Sequence, residues 1–152
     1  MITKPTTDVL IEDCCRELIE GILPGLTDET LKLRLVMTET VLRNAAVRTA
    51  HEIAWMREET AVLLAYARRV VARHGSAALR AALADAGAAP TDSLHLADVA
   101  ECSERAALAL AAALAAAQEA GAADLVARAR EVLQDRIATE KAVMATYAVV
   151  GR

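Results

Sequence analysis

The sequence predicts an all-α protein: an antiparallel helical bundle built around one long central helix, about residues 28–74, within a single domain spanning residues 1–152. Four main helices and one short one make up the bundle. Three observations carry this. No glycine or proline interrupts the run from Thr27 to His74, although Gly25 lies just before it and Gly75 closes it. At about 100° per residue, one sector of that run collects Leu31, Leu35, Leu42, Ile53, Leu63, Leu64 and Val71 with small residues between them. No Lys, Arg or Glu enters the sector, and Asp28 touches its edge only in the first turn, where a carboxylate suits the helix dipole. Third, the 55% hydrophobic fraction is mostly alanine, leucine and valine, and phenylalanine is absent, so strand-type aromatic runs are missing.

The elements follow in order. After a short leading arm, Thr7 and Asp8 cap a first helix running to about Leu23, with Val9, Leu10, Cys14, Leu18, Ile19 and Ile22 inward. Pro24-Gly25 ends it, and Thr27 is the expected N-cap of the long helix. Along that helix Thr27, Thr38, Thr49 and Thr60 recur every eleven residues, as do Leu31, Leu42, Ile53 and Leu64. Such a period of about 3.67 residues per turn keeps a stripe on one side. It marks either a close helix crossing or a self-associating seam. A second strip, Val36, Val47, Ala54, Ala65 and Ala72, gives the helix two apolar faces and places it at the bundle centre. A straight helix of this length spans about 70 Å, whereas a compact chain of this size has a radius of gyration of about 15 Å. Either the helix bends near Arg57-Glu58-Glu59 or a partner covers the excess; the second is favoured.

Ser76 caps a short helix to about Ala86, and the segment from Gly87 to Asp92 is the longest loop. A fourth helix runs from about Ser93 to Ala120 and stops at Gly121. A fifth runs from about Asp124 to Ala148, with Leu125, Ala129, Val132, Leu133, Ile137, Val143, Met144 and Tyr147 inward.

Charge and composition exclude several function classes. A net charge of -4 and a pI near 5.4 argue against a polyanion partner, and 2% aromatic residues leave no base-stacking platform, so no nucleic acid is expected. Cys14, Cys15 and Cys102 do not form a disulfide framework. The acidic N-terminal stretch shows no export signal, and the uncharged Ala-rich run after Arg105 is too short to span a membrane. A cytoplasmic protein without membrane contact is expected.

The chemistry-bearing residues match no complete motif. A dinuclear metal site in a bundle needs two Glu-x-x-His pairs, but Arg48 precedes His51 and Val71 precedes His74 at that spacing. Asp92 and His95 form a single unmatched pair at a helix start. His51-Glu52 lacks the second histidine of a zinc protease, and Cys14 reads as a small core residue. Glu101 and Glu104 flank Cys102 and disfavour its thiolate. No catalytic residue, metal or cofactor is therefore expected.

One residue breaks the local pattern: Glu140 falls on the inward arc of the last helix. There a carboxylate needs a partner, with Arg136 the nearest, or it serves as a polar anchor in a ligand or partner groove. Arg43, Arg57 and Arg68 share a side of the long helix with Lys32, either as a solvated face or as a docking strip for acidic or phosphate groups. With Trp55, these residues are the candidate partner or ligand contacts.

The opening Lys4-Pro5-Thr6-Thr7, then Ile22-Leu23-Pro24 and Arg34-Leu35-Val36, resemble a small all-helical bacterial family of unknown function. The stretch from Glu140-Lys141 to Tyr147 resembles that family's closing segment. Thr38 stands where the family has an Asn, and the usual phenylalanine before it is missing. Members are encoded beside aminoglycoside-phosphotransferase-like kinases, which act on hydroxyacyl-CoA compounds, and beside acyl-CoA dehydrogenases. The resemblance implies a non-catalytic accessory subunit, a homo-oligomer or a hetero-complex with such a kinase or dehydrogenase. The alternative is a bundle that binds an acyl or other hydrophobic ligand between its last two helices, with Glu140 as the polar contact.

Overall fold

The computed structural model describes residues 4–90 and 92–144, with side chains as far as Lys141. Among them every regular element is helical, and the all-α bundle around one long helix is what forms. The order is α1 (Thr7–Arg16), a π-helical segment (Glu17–Ile22), a 3-10 turn (Leu23–Gly25), α2 (Glu29–His74), α3 (Ala77–Gly87), α4 (Leu96–Glu119) and α5 (Ala123–Met144). The expected run of the last helix to Ala148, and the inward side chains of Val143, Met144 and Tyr147, lie outside the described residues.

The helix ends show why the elements begin and stop where they do. At α2 the Asp28 carboxylate accepts from the backbone N–H of Thr30 at 2.7 Å and of Leu31 at 3.3 Å. Asp28 therefore caps α2 in place of Thr27, since a carboxylate satisfies free N–H groups and the dipole together. Ser76 caps α3 as expected, its hydroxyl accepting from the Leu79 N–H at 3.1 Å. A Cβ on the preceding Gly75 would lie 2.8 Å from the Val71 carbonyl oxygen, so the turn between α2 and α3 has no room for a side chain. Ser93 accepts from the His95 N–H at 3.1 Å and donates to Asp98 at 2.5 Å, which makes a turn of residues expected to be helical and starts α4 at Leu96. Gly121, at φ 64°, closes α4 in a Schellman motif: the Ala122 N–H reaches the Ala117 carbonyl and the Gly121 N–H that of Gln118.

The first helix departs from its expected form. It leaves α geometry at Glu17 and ends in a 3-10 turn at Leu23–Gly25, where Pro24 has no N–H to offer the Glu20 carbonyl. Its buried face is also turned from the expected one. Cys15 is 1% exposed, whereas Cys14, Val9 and Leu10 are exposed. Ile11, Cys15, Leu18 and Ile19 form a competing stripe at helical spacing, and docking on α2 selects it.

The contacts group the chain into two compact units, Met1–Glu52 with Thr139–Arg152, and Ile53–Ala138. The second unit holds a continuous apolar core. Leu63, Tyr66, Ala67 and Val70 of α2 meet Leu79 of α3, the alanine face of α4 and Leu125, Ala129 and Val132 of α5. Ala106, Ala109, Ala113 and Ala117 are fully buried, so small side chains let the helices approach closely. Tyr66 donates its hydroxyl hydrogen to the Leu125 carbonyl at 3.1 Å. Arg73 pairs with Asp124 at 2.5 Å, and Arg136 with Glu59 at 2.9 Å.

The first unit is packed more sparsely. Cys15 and Ala46 are its fully buried apolar residues among those described, beside the polar Glu39 and Asn44. Leu31, Leu33, Met37 and Val41 stay between 47% and 55% exposed. The second apolar strip expected along α2 is largely on the surface, with Val47, Ala54, Ala65 and Ala72 exposed. Thr38 and Thr49 turn their hydroxyls back onto the Arg34 and Ala46 carbonyls of their own helix, at 2.9 and 2.8 Å.

Candidate functional site

The described residues of the first unit form a cleft of about 330 Å³ where α1 and the π segment face α2. Glu12, Cys15, Arg16, Ile19, Glu20 and Arg43 line it. Ile19 and Glu20 of this lining belong to the π segment.

At its floor the Cys15 thiol donates to the Glu39 backbone carbonyl at 3.8 Å. Burial, and then the neighbouring Glu39 carboxylate, push that thiol above the ordinary cysteine value. A neutral thiol is a poor nucleophile and a poor metal ligand, so Cys15 is a structural residue. Glu39 is 8% exposed, and Arg43, one turn on, hydrogen-bonds its carboxylate through two nitrogens. The same carboxylate raises the Arg43 guanidinium further above its ordinary value. This pair neutralises a carboxylate that would otherwise be costly at that depth. Across the cleft Arg16 pairs with Asp13 at 2.8 Å. Both arginines are thus engaged within their own helices, and the cleft offers charge without a poised acid, base or nucleophile.

The residues singled out in the sequence are not gathered into one place. Arg43 lines the cleft. Arg57 and Arg68 are exposed on the part of α2 that belongs to the second unit, eleven residues apart and so about 16 Å along the helix axis. Trp55 is half-buried in that unit. Glu140 is exposed rather than inward, and Ile137 beside it is 48% exposed. The half-buried carboxylate that engages Arg136 is Glu59 of α2, which no helical-wheel count on α5 could show. Sequence reasoning also missed Cys15 and Glu39, whose burial depends on the docking of α1.

Of the other candidates, His51 and His95 are exposed, and Cys102 donates to the Pro90 carbonyl at 3.5 Å. Among the described residues no three His, Cys, Asp or Glu side chains group to hold a metal ion, and no helix is long and apolar enough to cross a membrane. Compared with family models, curated proteins and solved structures, the chain has no match.

Proposed function

We propose that this chain is a non-catalytic helical accessory subunit that works by protein–protein contact. The observation that supports it most directly is the run of half-exposed apolar side chains on the first unit. Leu31, Leu33, Met37 and Val41 of α2, with Val9 and Leu10 of α1, are between 39% and 55% exposed. Leu33, Met37 and Val41 recur every four residues and so share one side of α2, and covering a large apolar side chain gains about 1.5–3 kcal/mol. The partner we propose is a phosphotransferase-like kinase acting on hydroxyacyl-CoA or related acyl compounds, which is what the family resemblance implies.

The ligand-binding alternative has less behind it. The alanines of α4 are buried in one core with Leu125, Ala129 and Val132, which uses the small side chains for close packing. The cleft on the first unit is lined by four charged side chains, an unfavourable surround for an acyl chain.

Co-expression with a phosphotransferase-like hydroxyacyl-CoA kinase and with an acyl-CoA dehydrogenase, followed by affinity purification and native mass spectrometry, tests the proposal. A defined complex that Met37→Asp disrupts is the expected result. Absence of a complex with either protein overturns it.

A further inference from the structure

The helix α5 runs antiparallel to α2. Asp124 pairs with Arg73, and Arg136, twelve residues further on, pairs with Glu59, fourteen residues back. From Thr139 onward the chain groups with Met1–Glu52, the unit that holds the early turns of α2.

Two observations put the exposed apolar side chains of α2 on the course of this chain. By helical spacing Val41 stands eighteen residues, or five turns, before Glu59, and so on the side of α2 that takes α5. Met37 and Leu33 share that side at spacings of four. Asn44 is the second observation. It stands seven residues beyond Met37 and eleven beyond Leu33, again on that side, yet it is 4% exposed where they are 51% and 55%. The docking of α1 does not account for this, because its contact at Glu39 lies five residues from Asn44, about 140° around the helix. One side of α2 is thus covered at Asn44 and open from Val41 to Leu33.

Residues 145–152 follow α5 with the sequence Ala-Thr-Tyr-Ala-Val-Val-Gly-Arg, in which five side chains are apolar and none is a carboxylate. Thr146, Tyr147, Val149 and Val150 favour extended backbone, and Gly151 disfavours helix. Eight extended residues at about 3.3 Å each span about 26 Å. The turns from Val41 to Leu33 occupy about 12 Å of helix, which leaves about 14 Å for the approach. The pitch also matches. In an extended chain Tyr147 and Val149 share one side about 6.6 Å apart, against about 6 Å between α2 residues four apart.

We infer that residues 145–152 fold back over Leu33, Met37 and Val41, so that the free chain covers its own contact face and a partner must displace the segment to bind. A tethered segment meets this face at an effective concentration of about millimolar, which favours it over a second copy free in solution. The inference rests on the reading of that face as a contact surface and adds its regulation.

Disulfide bridging in the full chain tests it. Cys14→Ser and Cys102→Ser leave the buried Cys15 as the one native thiol. In that background Met37→Cys/Val149→Cys is expected to close an intramolecular bridge under mild oxidation, about tenfold or more faster than Leu31→Cys/Val149→Cys. Leu31 is also exposed, but it stands six residues from Met37, about 120° away on α2. Native mass spectrometry reads the bridged product as a monomer, and circular dichroism of each variant separates loss of contact from loss of fold. The bridged chain is expected to lose its protein partner and to regain it on reduction. No preference between the two pairs, a bridge that links two copies, or a bridged chain that binds its partner as before each overturns the inference. A kinase or dehydrogenase complex formed by a chain that shows no preferred bridge overturns the fold-back alone. A preferred bridge in a chain that binds neither protein when reduced overturns the proposed hetero-partner and leaves the fold-back standing.

Discussion

Tyr66 joins α2 to α5 through one buried hydroxyl. It is 4% exposed, donates to the Leu125 carbonyl, and burial pushes its phenol above the ordinary tyrosine value. The folded state therefore favours the neutral phenol. Its contribution is fully present below the unfolded value near 10, and it is lost as pH rises through the folded value. Tyr66→Phe is expected to cost about 1 kcal/mol at neutral pH. Denaturant titrations should also show a shallower loss of stability above pH ~10 for the variant than for the parent. Cys15 makes a second prediction at this scale. The neighbouring Cys14 is exposed, so a thiol-alkylating reagent is expected to label Cys14 in the native chain and Cys15 only after unfolding. Mass spectrometry of the peptides checks this. Equal labelling of the two would contradict the burial of α1 on α2.

Among elements, α4 is the most sensitive to size. Ala113 is fully buried in the core with Leu110 and Ala109, so Ala113→Leu is expected to overpack the core and cost about 1–3 kcal/mol. A thermal melt reads this directly. Gly121 ends the same helix with a positive φ and open space around it. Gly121→Ala therefore meets no neighbour, and the expected loss of about 1–2 kcal/mol is purely conformational. The boundaries read from glycine, proline and serine agree closely with the structure at Ser76 and Gly121, because capping is local chemistry. They drift at Ser93, where the side chain closes a turn with Asp98 instead of starting the helix. The π segment was not legible either, because apolar spacing does not report how tightly a helix is wound.

Over the whole chain, burial is uneven. Leu63, Ala67, Val70, Leu79 and Leu125 of the second unit are at most 2% exposed, whereas the first unit relies on Cys15, Ala46 and the polar Glu39 and Asn44. Hydrogen exchange is expected to protect α2 amides near Leu63–Val70 more strongly than those between Leu31 and Val41. Covering the exposed apolar side chains with a protein partner should slow exchange in the latter, which ties the fold to the proposed role. Equal protection along α2 in the isolated monomer would contradict this division.

The helical class, the long uninterrupted α2 and most of its punctuation were determined by the sequence alone. Helix propensity, the lack of glycine and proline, and capping side chains act over a turn or two of chain. Which faces those helices bury was decided only by tertiary structure. Val9, Leu10 and Cys14 are as apolar as Ile11 and Cys15, and Val47 is as apolar as Val70. Burial follows the element that comes to lie alongside, and that depends on the packing of distant segments, not on local periodicity. Glu140 follows the same physics: helical periodicity places it among apolar neighbours, but that point of α5 is exposed.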